Sequence, residues 1–180
     1  LGNAQTYNMT NGSTTTCSGN FYDNGGSGGN YSNGQNLTYT FNSSSGYPQI
    51  VFTYFNVENN WDYLYVYDGP TTASPLIGAY TGTGLANSPG TVIGTGSSLT
   101  FRFTSDGSVA YPGWAATVGC YNPCTNPVVA GTANGVSPVC SGSTTSLSLS
   151  GQSTGSGLTY QWQESASALG PWTNISGATS

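Results

Sequence analysis

Hydrophobic residues in this chain fall into short runs that alternate with polar ones, and no run carries the 3.6-residue period of a helix. Leu37-Thr38-Tyr39-Thr40-Phe41 alternates with period two and predicts a strand. Ile50-Val51-Phe52-Thr53-Tyr54-Phe55-Asn56-Val57 predicts another, buried for most of its length. Residues 63–67, Leu76-Ile77-Gly78-Ala79-Tyr80, Leu99-Thr100-Phe101-Arg102-Phe103-Thr104 and Trp114-Ala115-Ala116-Thr117-Val118 follow at even intervals, separated by Gly, Asn and Ser. Strands spaced this way indicate an all-β sandwich or jelly roll. Residues 1–16 read as an extended leader or first strand, and residues 17–121 as one domain.

The pattern breaks at residues 122–127, where Pro123 and Pro127 interrupt it, and this stretch reads as a linker. Residues 128–180 resume with Thr144-Thr145-Ser146-Leu147-Ser148-Leu149-Ser150, Gly157-Leu158-Thr159-Tyr160-Gln161-Trp162-Gln163 and Pro171-Trp172-Thr173-Asn174-Ile175. This segment is about half the length of a ~100-residue sandwich, so the second domain is expected to be incomplete.

Composition narrows the function classes. The 13 Tyr, 6 Phe and 4 Trp supply bulky core material, while only 4% of residues are charged and the net charge is −5. Arg102 is the only basic side chain, which excludes a phosphate-neutralising surface for nucleic acid and a polybasic lipid anchor. No apolar run approaches the roughly 20 residues needed to cross a bilayer as a helix. With no His there is no Ser-His-Asp triad or Cys-His pair, so enzyme activity is not expected. The four cysteines, Cys17, Cys120, Cys124 and Cys140, lack metal-knuckle spacing and point to an oxidising, secreted or cell-surface setting. Leu1-Gly2-Asn3-Ala4 is compatible with the tail of a signal peptide but too short to establish one.

The scarce carboxylates concentrate. Glu58, Asp62 and Asp68 all lie in Glu58-Asn59-Asn60-Trp61-Asp62-Tyr63-Leu64-Tyr65-Val66-Tyr67-Asp68-Gly69, which reads as a cation-holding stretch. Asp68-Gly69 is also a hairpin-turn signal, which favours turn chemistry there over a ligand role. Asp23, before Asn24-Gly25-Gly26, fits a turn cap better than a ligand to a second cation. Glu58 with Asp62 imitates a glycosidase pair, but a metal accounts for them better. If Leu64 and Val66 are core, Tyr63, Tyr65 and Tyr67 share the opposite face. They then form either an exposed contact stripe or an ordinary cross-strand ladder.

A family resemblance emerges from Tyr31, Tyr39, Glu58, Asp62-Tyr63-Leu64, Asp68-Gly69, Leu99-Thr100-Phe101, Thr104-Ser105-Asp106-Gly107-Ser108 and Gly113-Trp114-Ala115-Ala116. In this order, over roughly residues 17–120, they resemble a CUB domain. The resemblance implies a jelly roll of two antiparallel sheets with a Ca²⁺ site at one end. Carried over by position, the ligands are Glu58, Asp62 and Asp106, with Gly107 and Ser108 adjacent and Tyr31 in support. Such a trio suits calcium, which takes six to eight oxygens at about 2.3–2.6 Å; the alternative is three separate solvated turn acids. This chain departs from the family pattern at its usual cysteines: Asn59, Asn60 and Trp61 fill the loop before the Asp-Tyr-Leu strand, Asn42 follows Phe41, and Thr81-Gly82 stands where Cys-Gly is usual. With those disulfides absent, the comparison leads to Cys17 pairing with Cys120.

Residues 125–180 resemble the immunoglobulin-like repeats of bacterial surface adhesins, through Val139-Cys140-Ser141-Gly142, Leu147-Ser148-Leu149, Leu158-Thr159-Tyr160-Gln161-Trp162-Gln163 and Trp172-Thr173-Asn174-Ile175. The pairing of modules is similar to that of bacterial surface proteins exported by a type IX route. The resulting expectation is a secreted, calcium-stabilised adhesion module, presenting Trp61, Tyr111 and the tyrosine stripe to a protein or carbohydrate ligand. The alternative is a structural subunit of an extracellular fibre or stalk, a filament built from copies of itself by strand complementation.

Overall fold

The computed structural model describes residues 4–123, 129–135, 143–155 and 157–179. The chain divides into two units, Leu1–Tyr121 and Asn122–Ser180.

The first unit is two facing sheets. Its strands are β1 (Thr6–Asn8), β2 (Gly12–Thr15), β3 (Ser18–Tyr22), β4 (Asn36–Asn42), β5 (Tyr47–Val57), β6 (Tyr63–Asp68), β7 (Leu76–Tyr80), β8 (Gly82–Thr83), β9 (Thr91–Ile93), β10 (Ser98–Thr104) and β11 (Gly113–Tyr121). One sheet runs β1-β3-β11-β5-β8, with β9 also pairing β5, and the other runs β2-β4-β10-β6-β7. Every pairing is antiparallel except β1 with β3 and β2 with β4.

Those two parallel pairings give residues 4–16 their place. The chain adds one strand to each sheet in turn and crosses between them at Met9, which is only 1% exposed. The Met9 amide donates to the Tyr22 carbonyl at 2.8 Å, and the Asn11 side-chain oxygen accepts from the Thr38 amide at 2.8 Å. The segment read as an extended leader or first strand thus supplies two strands of the sandwich, one to each sheet.

Alternation places the core. Phe41, Leu64, Val66, Leu99, Phe101 and Phe103 face inward from one sheet; Phe21, Ile50, Phe52, Phe55, Trp114 and Val118 do so from the other. The rings meet edge to face or tilted: Phe21 lies 4.9 Å from Phe41, 5.3 Å from Phe101 and 5.6 Å from Trp114. Such contacts add to the area term of burial. In β5 the register against β11 shifts by one, so that Ala115 pairs with Tyr54 and Ala116 with Phe52. The extra residue, Thr53, is a β-bulge that keeps both Phe52 and Phe55 inside and turns Thr53 and Tyr54 both outward.

Cys17 and Cys120 form a disulfide with an S–S distance of 2.01 Å, closing a separation of 103 residues. It joins the chain just before β3 to the end of β11.

The second unit contains two antiparallel pairs, β12 (Thr132–Asn134) with β13 (Ser148–Ser150) and β14 (Gln161–Glu164) with β15 (Thr173–Thr179). The Tyr160 hydroxyl donates to the Ser153 carbonyl at 2.6 Å, and Trp162 is half-buried. Cys124 and Cys140, with the Val139–Gly142 motif, lie outside the described residues.

Candidate functional site

Glu58 follows β5 and Asp62 precedes β6, so a short turn presents both at one end of the sandwich. The turn is held tightly. The Asp62 amide donates to the Glu58 carbonyl at 3.2 Å, and Asn60 adopts φ 66°, a left-handed conformation that asparagine tolerates better than most residues. Thr81 braces it from across the loop end, its hydroxyl donating to the Glu58 carbonyl at 2.8 Å while accepting from the Asn60 amide at 2.9 Å. The bracing role of Thr81 carries no signal in the sequence.

Asp106 arrives from the opposite direction, after β10. Its amide donates to Asp62 Oδ1 at 2.8 Å, and its own Oδ1 accepts the Ser108 amide at 2.9 Å. Tyr31 ties the group together: its hydroxyl donates to Asp62 Oδ2 at 2.5 Å and accepts the Glu58 amide at 3.0 Å. The Tyr31 ring is buried 5.0 Å from Phe103, so the sandwich core fixes the hydroxyl's position. One carboxylate oxygen from each of Glu58, Asp62 and Asp106 lies within 4.8 Å of the others. Gly107 and Ser108 are exposed on the same loop.

The electrostatics of this trio are unfavourable as it stands. Asp62 is fully buried, and Glu58 Oε2 is buried with no hydrogen-bond partner. Burial, then the charges of Asp106 and Asp62, push the Glu58 carboxyl above its ordinary range. Burial and the bond to Asp62 likewise raise the Tyr31 hydroxyl, which keeps it protonated as a donor. An orphaned, buried carboxylate oxygen beside two more carboxylates fits a hard divalent cation, which would supply the missing partner.

Exposed apolar residues surround this end. Trp61 is 65% exposed, Val109 52% and Tyr111 37%. Val109 has φ 58°, a conformation costly for a β-branched side chain and one that recurs in functional loops. Nothing in the sequence signals it. The Tyr111 carbonyl accepts the Tyr31 amide at 3.1 Å, coupling this loop to the acidic end.

The remaining sequence candidates lie elsewhere. Asp68 joins neither the trio nor a tight hairpin: its carboxylate accepts from the Thr95 amide at 2.9 Å and the Thr95 hydroxyl at 2.7 Å, and the connection from β6 to β7 runs on to Pro75. Pro70, directly after Gly69, opens that longer loop. Asp23 is fully buried, with Oδ1 accepting the Gly25 amide at 2.7 Å and Oδ2 the Trp114 amide at 3.3 Å. It ties its turn to the start of β11, and burial raises its pKa to about 6. Tyr63, Tyr65 and Tyr67 do share the outward face of β6. Tyr63 and Tyr65 pack 5.8 Å apart, and the Arg102 guanidinium lies 5.8 Å from the Tyr65 ring.

The two-sheet sandwich with an acidic, tyrosine-braced loop end defines a class of β-sandwich module. The CUB domain family matches residues 10–118, and the chain belongs to that family. Residues 129–180 match a family described as a domain of unknown function, DUF8696. Tolloid-like protein 2 of Mus musculus is 34% identical over 91 residues, covering 48% of this chain and 9% of that protein. The Homo sapiens protein of the same name is 31% identical over 91 residues, with the same coverage. The chain thus matches about a tenth of the length of these relatives. Among solved structures, the MASP-1 CUB2 domain bound to Ca²⁺ aligns with a TM-score of 0.52 at 21% identity, covering 62% of this chain and 99% of that one. The CUB1-EGF-CUB2 domain of human MASP-1/3 aligns with a TM-score of 0.51 at 19% identity, covering 64% of this chain and 43% of that one.

Proposed function

We propose that Glu58, Asp62 and Asp106 hold a calcium ion, and that the loops it fixes form a binding surface for a protein ligand on an extracellular or cell-surface protein. The observation that carries this reading is the convergence of three carboxylates around a buried, unpartnered Glu58 Oε2. The calcium bound by the MASP-1 CUB2 domain, a protein of the same fold, supports it. Trp61, Val109 and Tyr111 then supply an apolar contact rim around a rigid, charged centre, with Gly107 and Ser108 offering further oxygens close to the metal. The disulfide supports an oxidising setting. We read the second unit as immunoglobulin-like, consistent with its two antiparallel pairs and half-buried Trp162.

Thermal unfolding with Ca²⁺ or EDTA tests the metal. A ligand of the native state stabilises by mass action, about 2.7 kcal/mol at roughly hundredfold excess over Kd. The midpoint should rise by several degrees with Ca²⁺, and Glu58→Gln should abolish the rise. Equal midpoints in Ca²⁺ and EDTA would remove the basis for the site.

A further inference from the structure

A second feature of the first unit involves none of Glu58, Asp62 and Asp106. On the outer face of the β1-β3-β11-β5-β8 sheet, Tyr22 on β3 and Tyr54 on β5 both pair in register with Ala115 on β11. The two tyrosines therefore flank one small residue in a single row, about 10 Å apart at the backbone, or two strand spacings. Tyr54 stands there because of the Thr53 bulge: in a regular strand with Phe52 inward, Tyr54 would turn into the core. The result is a cleft of about 350 Å³ with Ala115 in its lining. Gly26, Gly28, Gly29 and Pro112 add to that lining.

The lining specifies the ligand. It holds no charged side chain, and Arg102, the chain's only cation, is on the other sheet. A protein of net charge −5 with such a cleft selects against phosphates, sulfates and carboxylates. Glycines expose main-chain donors and acceptors, which suit hydroxyl groups that both give and accept hydrogen bonds. Ser27 and Asn30 also line the cleft. Tyrosine combines an apolar ring face with a polar tip. The volume falls within the range for small-molecule sites.

We infer that this cleft is a binding site for a neutral pyranose sugar, with the C–H face of the ring against Tyr22 or Tyr54 and its hydroxyls toward the Gly26–Gly28 turn. A proline-rich peptide also packs between aromatic rings, but it needs an extended groove. This cleft has the glycine turn among its walls.

The test is a titration of the full 180-residue chain with a panel of methyl glycosides of glucose, galactose, mannose and N-acetylglucosamine, followed by amide NMR shifts. At least one neutral sugar should shift the amides of residues 26–30 and 115. Tyr54→Ala should weaken that binding by about tenfold, the scale of one aromatic contact. Ala115→Leu, which fills the cleft from an outward-facing position, should abolish it while leaving the rest of the spectrum in place. Tyr54→Phe should retain most of it. The inference is overturned if no sugar perturbs these amides. It is equally overturned if the shifts survive both Tyr54→Ala and Ala115→Leu, or if a polyproline peptide shifts the same amides and the sugars do not. Repeating the titration in EDTA keeps this result separate from that of the calcium site.

Discussion

Tyr31 shows how much of the acidic end depends on a single hydroxyl. Its oxygen is the common partner of Asp62 Oδ2 and the Glu58 amide, so it sets the spacing between two carboxylate-bearing residues that come from different strands. Tyr31→Phe preserves the ring packed on Phe103 and removes only that bridge. Loss of a group that orients metal ligands typically weakens metal binding by about 10–100-fold. Calorimetric Ca²⁺ titration of Tyr31→Phe should show a drop of that order, with little change in the near-ultraviolet spectrum of the core. Asp23 yields a pH prediction of opposite character. Its carboxyl keeps a proton up to about pH 6 in the folded state, against an ordinary value of 3.8. The folded state thus binds the proton more tightly, so this contribution to stability is full below pH 3.8 and disappears as pH rises through 6. Urea midpoints of the native protein and Asp23→Asn, compared from pH 4 to pH 7, should show the native protein losing ground to the variant across that interval. Beside it, Gly113 has φ 68°, and a Cβ there would sit 2.1 Å from Asp23 Oδ2. Gly113→Ala should cost at least about 2 kcal/mol from the backbone conformation and the clash together, as read by denaturant unfolding.

Among the elements, the long strands were legible because each buries one face, so alternation prints the core into the sequence. Leu64 and Val66 against Tyr63, Tyr65 and Tyr67 is the clearest case. β8 and β9, of two and three residues at the edge of β5, carry no pattern that alternation could reveal. β1 and β2 were legible only as one extended leader or first strand, because neither buries a side chain fully and Met9, the buried residue between them, sets no period. The Asp68-Gly69 signal marked the end of β6 and its antiparallel return into β7, but two residues of turn chemistry do not give the length of a loop held from outside. That loop is fixed by buried hydroxyls: Thr100 Oγ1 donates to the Gly69 carbonyl at 2.8 Å, and the Thr40 hydroxyl lies 2.8 Å from Thr100 Oγ1. Thr100→Val should cost about 1–3 kcal/mol through the unsatisfied Gly69 carbonyl. Hydrogen exchange should show the amides of residues 71–74 opening first.

At the scale of the molecule, the acidic trio was legible only through a family pattern. Glu58 and Asp62 sit close in sequence, but Asp106 reaches them through the pairing of β10 with β6, and periodicity says nothing about which loops share an end. The sugar cleft was not legible at all, because it depends on a bulge and on the register of three strands. The Cys17–Cys120 bond, by contrast, has a consequence for the chain under load. Tension applied through the chain on either side of the first unit passes from Cys17 to Cys120 through sulfur, bypassing the strands between them. Within the unit, residues 1–16 are then the part that can peel away, to a length of at most roughly 55 Å at about 3.5 Å per residue. After reduction the whole unit can extend, to roughly 420 Å. The bond thus acts as a tether that keeps both the acidic end and the cleft folded while the protein is being pulled.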